Sequence, residues 1–168
     1  DDRRGRIGAS AQLWVNGDNG GNWVPQVSAG GRLDDTLTFF GPEPAIVTLT
    51  LSLFGSMSDA GIGATSRLAA YGYLTFGWLD HASIGVEWFS NEDTVRLSTS
   101  GDVDKLIDDP WRVAGTMTVS GLVNPGDTID VVAEMGVHLW RTGSYGQPQA
   151  NFGHTAWLSI DLPDGMSY

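Results

Sequence analysis

The feature that most constrains the fold of this sequence is an apolar residue at nearly every second position, repeated in five segments. A period of two is that of a β-strand, in which successive side chains point to opposite faces. The five segments are residues 7–15, 45–54, 111–120, 129–140 and 154–162, and weaker alternation covers 33–40, 67–79, 83–89 and 94–99. The one short helical candidate is 103–109. The chain is therefore predicted to be all-β.

Turn-forming residues separate these segments. All 7 prolines lie between the segments or at their ends, where a missing backbone N–H does no harm. The Asn-Pro-Gly-Asp sequence at 124–127 predicts a tight turn, and 16–22 and 55–66 are predicted to be loops. Eight or nine antiparallel strands with one apolar face each bury those faces by packing as two sheets. We therefore expect an antiparallel β-sandwich of jelly-roll type, with an immunoglobulin-like topology as the alternative.

Size and charge limit the classes of function. The 168 residues fit a single domain, and the polar residues 1–6 are expected to form an N-terminal arm. A formal net charge of −11 argues against nucleic acid as a partner. No apolar run reaches the roughly 18 residues that a membrane span needs, so no span is expected. The absence of cysteine excludes disulfides, thiolate zinc sites and cysteine nucleophiles.

The acidic residues suggest a calcium site. Asp accounts for 16 of the 20 acidic residues, and Ca²⁺ prefers several hard oxygen ligands from loops. Residues 101–109 place four carboxylates close together, at Asp102, Asp104, Asp108 and Asp109. This segment lacks the spacing of an EF-hand loop, and Asp also favours turns for conformational reasons. One structural calcium at these four residues is the only cofactor that the sequence suggests.

Tryptophan is abundant, with 7 residues in the chain. Trp78 shares an apolar face with Leu74 and Phe76, whereas Trp14, Trp140 and Trp157 fall on the mixed faces of their segments. Aromatic rings on an outer sheet face stack on sugar rings or become buried by a partner protein. The alternative is a second apolar layer that the chain covers with its own loops. The three mixed-face tryptophans are therefore candidates for a polysaccharide-binding surface.

Signals for catalysis are weak. Glu87 and Glu134 both fall on polar faces of predicted strands, and a pair of carboxylates is what glycoside hydrolysis requires. The same pattern is ordinary for a solvated sheet face. The chain has no Gly-x-Ser-x-Gly motif, and its 3 histidines lack metal-ligand spacing. The sequence is therefore interpreted as non-enzymatic, with a sandwich-fold glycosidase as the weaker alternative.

The first segment is a candidate for self-association. Its apolar residues occupy alternate positions after the charged arm: Ile7, Ala9, Ala11, Leu13 and Val15. A terminal strand in a sandwich forms a sheet edge, and an edge strand can pair with a neighbouring subunit. The alternative is that this strand pairs only within its own sheet. Pairing between copies would produce a homo-oligomer or a filament.

The end of the chain resembles a known family. Residues 151–168 contain an Asn/His-Thr-Ala strand followed by Leu-Pro-Asp-Gly and an aromatic residue, and residues 123–129 form a turn and strand around Asn-Pro-Gly-Asp. This resembles the closing strand of secreted bacterial proteins of the PEP-CTERM sorting class. The segment departs from that class because no Pro-Glu-Pro motif, apolar span or basic end follows it. The resemblance implies export, a β-sandwich and a role in the extracellular or biofilm matrix, and it implies no catalytic residues.

Taken together, these patterns favour a non-enzymatic, acidic, extracellular or cell-surface structural protein that forms a matrix or filament by edge-strand pairing. The alternative is a carbohydrate-binding module with a structural calcium.

Overall fold

A computed structural model describes residues 4–12, 15–16, 26–59, 65–89, 94–109, 112–142, 145–146 and 148–168. Twelve strands are found in these ranges, in chain order: β1 Arg4–Gln12, β2 Val15–Asn16, β3 Gln26–Thr38, β4 Ala45–Asp59, β5 Thr65–Phe76, β6 Asp80–Phe89, β7 Thr94–Ser100, β8 Asp102–Asp109, β9 Arg112–Val123, β10 Thr128–Thr142, β11 Tyr145–Gly146 and β12 Pro148–Asp161.

The strands form two five-stranded antiparallel sheets. The front sheet has the order β1-β12-β4-β9-β8, and the back sheet has the order β3-β10-β5-β6-β7. The two short strands β2 and β11 pair separately. The predicted β-sandwich is therefore confirmed. Pairing is nested along the chain, since β1 pairs with β12, β3 with β10, β4 with β9 and β5 with β6.

The core lies between the inner faces of the two sheets. Alternation along β4 and β10 gives the buried residues predicted from the sequence, for example Leu49 and Leu51 in the front sheet and Met135 and Val137 in the back sheet. Burial of one aliphatic side chain contributes roughly 1.5–3 kcal/mol, so this two-residue pattern fixes which face of each strand turns inward. Among the described residues, Arg141 is the one charged side chain in this interior, and it is fully buried.

Several segments differ from the sequence-based expectation. The arm expected at residues 1–6 overlaps β1, which begins at Arg4. The short helical candidate 103–109 is wrong, because these residues belong to β8 and pair with β9. The predicted loop 55–66 is shorter, since β4 continues to Asp59 and β5 begins at Thr65. The strand expected at 33–40 begins at Gln26. In its first half only Val27 and Ala29 alternate before Gly30 and Gly31 interrupt the apolar pattern, and pairing with β10 gives this half the strand conformation.

The C-terminal segment closes one end of the sandwich. After β12 the chain turns at residues 163–166 and returns to Phe40, whose N–H donates to the carbonyl of Ser167 at 2.8 Å. The Phe39 ring is fully buried and lies edge-on to Phe76, with a centroid distance of 5.9 Å. The Tyr168 ring also packs near Phe39, with a centroid distance of 6.4 Å. The segment after β12 is thus tied to the core by a backbone bridge and by aromatic packing.

Candidate functional site

The first candidate site is the pair of edges of the front sheet. In the described part of the chain, β1 forms one edge and β8 forms the other. Each presents a row of backbone groups to which a further strand can bond.

The predicted self-association residues do not form one continuous strand. The backbone of the first three lies in register with buried residues of β12: Ile7 opposite Ala156, Ala9 opposite Phe152 and Ala11 opposite Ala150. Leu13 lies outside the described residues, and Val15 belongs to β2, where it pairs with Gly146. The edge available to a neighbouring copy is therefore the backbone of β1.

The predicted calcium segment is the opposite edge. Asp102 and Asp104 are exposed on the outer face of β8. The side chains of Asp108 and Asp109 lie outside the described residues, although both backbones are in β8. An extended strand spreads its carboxylates instead of gathering them around an ion. Within the described ranges, no group of three or more His, Asp or Glu residues is placed to hold a metal ion.

The two edges are linked by the register of the sheet. Arg4 and Asp102 stand at opposite ends of one row across the five strands, and Arg6 and Asp104 stand at opposite ends of a second row, two residues along β1 and β8. The two rows are Arg4, Ser159, Thr50, Thr118, Asp102 and Arg6, Trp157, Ser52, Thr116, Asp104. One edge thus carries arginine in the same two rows in which the other carries aspartate.

The predicted aromatic surface is divided between the two faces of the sandwich. Trp157 occupies the outer face of the front sheet, since its neighbours Ala156 and Leu158 are buried. Trp140 occupies the outer face of the back sheet. Trp14 lies outside the described residues. Trp140 and Trp157 therefore cannot form one binding platform.

Trp140 is already engaged by its own chain. The His138 ring stacks on it in parallel, with centroids 3.6 Å apart and planes within 8°. The guanidinium carbon of Arg67 lies 4.7 Å from the centre of the tryptophan ring, a cation–π distance. Arg67 also forms an ion pair with Glu87. The Trp140 ring is therefore occupied by contacts with His138 and Arg67 of its own chain.

His138 is expected to titrate below the ordinary histidine range. Desolvation, and secondarily the charge of Arg67, lower its pKa from 6.5. Because the unfolded chain binds this proton more readily, the stability that His138 contributes is complete above pH 6.5 and is lost as pH falls through its folded pKa. An NMR titration of the ring protons checks this, and Arg67→Gln is expected to raise the pKa part of the way. A His138 pKa of 6.5 or above in the wild-type protein would contradict it.

The two candidate catalytic carboxylates are kept apart. Glu134 is in register with Tyr73, and Glu87 is in register with Ala69, on strands that flank β5. This register separates the Cα atoms by roughly 16 Å, whereas the carboxyl groups of glycosidases lie about 5–9.5 Å apart. Glu87 pairs with Arg67, and Glu134 with Arg32. The structure does not bring the predicted pair together.

A second candidate site lies on the outer face of the back sheet. Gly30, Gly136, Tyr71 and Gly85 form one row across this sheet. The far end of the Tyr71 ring lies over Gly136, where a Cβ atom would overlap it. The ring thus covers the backbone of β10, and Tyr71 remains 44% exposed.

Charged residues border this ring. The Tyr71 hydroxyl donates to Oε1 of Glu134 at 3.3 Å, and Nη1 of Arg32 donates to Oε2 of the same carboxylate at 3.4 Å. Arg32 also bonds to Asp34 at 2.8 Å. We name Tyr71, Gly136, Gly30, Glu134 and Arg32 the Tyr71 shelf. Sequence reasoning missed it, although the Tyr71-Gly72-Tyr73 sequence places two tyrosines on one strand face.

No protein-family model, curated protein or solved structure matches this chain. In the described residues, no helix is long and apolar enough to cross a membrane.

Proposed function

We propose that this protein is a non-enzymatic structural subunit that assembles head to tail through the two edges of its front sheet. The observation that carries the proposal is the shared register of Arg4 with Asp102 and of Arg6 with Asp104. When copies are placed side by side so that the sheet continues, the arginine edge of one copy adjoins the aspartate edge of the next.

Strand direction defines the geometry of this contact. The front sheet is antiparallel throughout and has five strands, so β1 and β8 run in the same direction. Joining β1 to β8 with the core on the same side therefore gives a parallel strand pair. Such a contact uses two different surfaces and does not close on itself by two-fold symmetry, so it extends into a filament or a ring.

Charge selects this contact over the alternatives. Two β8 edges repel through their aspartates, and two β1 edges repel through their arginines, whereas β1 and β8 attract. Charges on an edge strand also prevent unspecific pairing. The net charge of −11 opposes association over long distances. At physiological salt this repulsion is screened beyond about 8 Å, and the short-range edge contacts are favoured.

Charge reversal at the edges tests the proposal. In Asp102→Lys/Asp104→Lys both edges are basic, so self-association is expected to weaken at least tenfold, because attraction is replaced by repulsion. Adding Arg4→Asp/Arg6→Asp to the same chain is expected to restore assembly with exchanged charges. Sedimentation velocity over a concentration series, with electron microscopy of the assembled sample, measures both effects.

A matched control distinguishes the effect of charge at the β8 edge from the effect of the overall net charge. Glu43 and Asp164 are exposed in turns away from both edges, and Glu43→Lys/Asp164→Lys makes the same change in net charge. This variant is expected to assemble at least as well as the wild type. A wild-type protein that is monomeric at high concentration, or a control that loses assembly to the same extent as the β8 variant, would overturn the proposal.

The extracellular location and the jelly-roll topology belong to the same proposal. The Asp-rich composition and the resemblance of residues 151–168 to secreted sandwich proteins support export to a matrix or cell surface. The nested pairing of β1 with β12, β3 with β10, β4 with β9 and β5 with β6 supports a jelly roll. Strands β7 and β8 are inserted between β6 and β9, and each adds one edge strand to one of the two sheets.

A further inference from the structure

We infer that the Tyr71 shelf on the outer face of the back sheet binds a neutral polysaccharide. This site lies on the opposite sheet from the edges that are proposed to assemble, and it does not depend on them.

The shelf provides an exposed aromatic ring on the sheet surface. The end of the Tyr71 ring rests over Gly136, and the residue stays 44% exposed, so part of the ring is open to solvent. The apolar face of a pyranose ring, formed by its C–H groups, packs on such an aromatic face. Gly30 continues the same row and adds no side chain, so the surface beside the ring is low enough for a sugar to approach.

Hydrogen-bonding groups flank the ring on both sides. Glu134 and Arg32 lie on one side and are oriented by their mutual contact and by Asp34. His138 lies on the other side, two residues after Gly136 on the same strand face. Its Nε2 atom is buried and forms no hydrogen bond within the described part of the chain. Sugar hydroxyls both donate and accept, so they suit the carboxylate of Glu134 and the guanidinium of Arg32 beside the ring.

The charge of this face favours a neutral ligand. Both Asp34 and Glu134 offset the charge of Arg32, and Arg67 is paired with Glu87. Asp130 lies on the same face and accepts a hydrogen bond from Thr36. A polyanion would bring further negative charge to a protein of net charge −11. The open face has a second exposed tyrosine, Tyr73, at the next outward position of β5, which suits an extended chain.

Affinity electrophoresis in gels that contain single polysaccharides tests this inference. The probes are soluble β-1,3-glucan, β-1,4-glucan, xylan, mannan and α-glucan, with alginate and polygalacturonate as anionic comparisons. At least one neutral polymer is expected to retard the wild-type protein. Tyr71→Ala is expected to weaken that binding at least tenfold, whereas Tyr71→Phe, which keeps the ring, retains most of it.

Controls address folding, assembly and exposed aromatics in general. Trp78 is 77% exposed in the turn between β5 and β6, and Trp78→Ala is expected to bind normally. Gly30→Val fills the low surface beside the ring, and it is expected to reduce binding if Tyr71→Ala does not fold. Its Cβ would lie 3.2 Å from the carbonyl oxygen of Met135, so circular dichroism first checks that this variant folds. Asp102→Lys/Asp104→Lys should retain binding, which separates this site from assembly. Retardation by no neutral polymer, retardation by the anionic polymers alone, or equal loss in Trp78→Ala would overturn the inference.

Discussion

Replacing Phe39 by alanine is expected to lower the free energy of unfolding by about 3–5 kcal/mol, the cost typical of removing a buried phenylalanine. The Phe39 side chain is fully buried, and its ring packs against the rings of Phe76 and Tyr168. The loss thus removes apolar contacts and leaves a cavity between the core and the C-terminal segment. Urea unfolding followed by tryptophan fluorescence measures the change.

Its chain neighbour provides a matched control. Phe40 is 57% exposed, and its backbone bridge to Ser167 uses only main-chain atoms. Phe40→Ala keeps that bridge and is expected to change stability by no more than about 0.5 kcal/mol. If Phe39→Ala and Phe40→Ala lower stability equally, the Phe39 ring is not an essential part of the core.

The sequence predicted the fold wherever burial and strand period coincide. In β4 and β10 one face is aliphatic throughout, so alternation alone identifies the strand and its inward face. The prediction from the sequence failed where pairing with another strand, and not burial of an apolar face, determines that a segment is a strand. Gly30 and Gly31 in β3 have no hydropathy pattern, and their extended conformation depends on β10, which lies about a hundred residues later.

Candidate sites were less predictable because they depend on strand order. The sequence identifies Trp140 and Trp157 as outward-facing, yet only the topology shows that they occupy different sheets. The Tyr71 shelf requires Gly136 to lie beside Tyr71, a register that neither residue signals locally. The match between Arg4 and Asp102 likewise spans five strands. Residue chemistry is visible in the sequence, whereas the distance between residues is a property of the assembled sheets.

Substituting Gly101 by alanine is expected to cost about 2–5 kcal/mol and to impair assembly. Gly101 lies between β7 and β8, where the chain crosses from the back sheet to the front sheet, and its φ is +76°. A residue with a Cβ atom loses roughly 1–2 kcal/mol of stability in this left-handed backbone conformation. Its Cβ would also meet the carbonyl oxygen of His81 and lie 3.0 Å from the Cα of Ala82, and overpacking of this kind adds about 1–3 kcal/mol.

Gly126→Ala isolates the contribution of these contacts. Gly126 also has a positive φ, +92°, but nothing lies within 4 Å of its Cβ position, so only the conformational cost of about 1–2 kcal/mol applies. Because Asp102 follows Gly101 directly, a backbone shift at Gly101 displaces the acidic edge, whereas Gly126 lies in the turn before β10. Denaturant unfolding measures the stability of both variants, and sedimentation velocity measures their assembly.

Equal stability loss in the two variants would show that the contacts of Gly101 with β6 do not stabilise the connection between β7 and β8. Normal assembly by folded Gly101→Ala would show that the edge contact does not require the position of β8 found here.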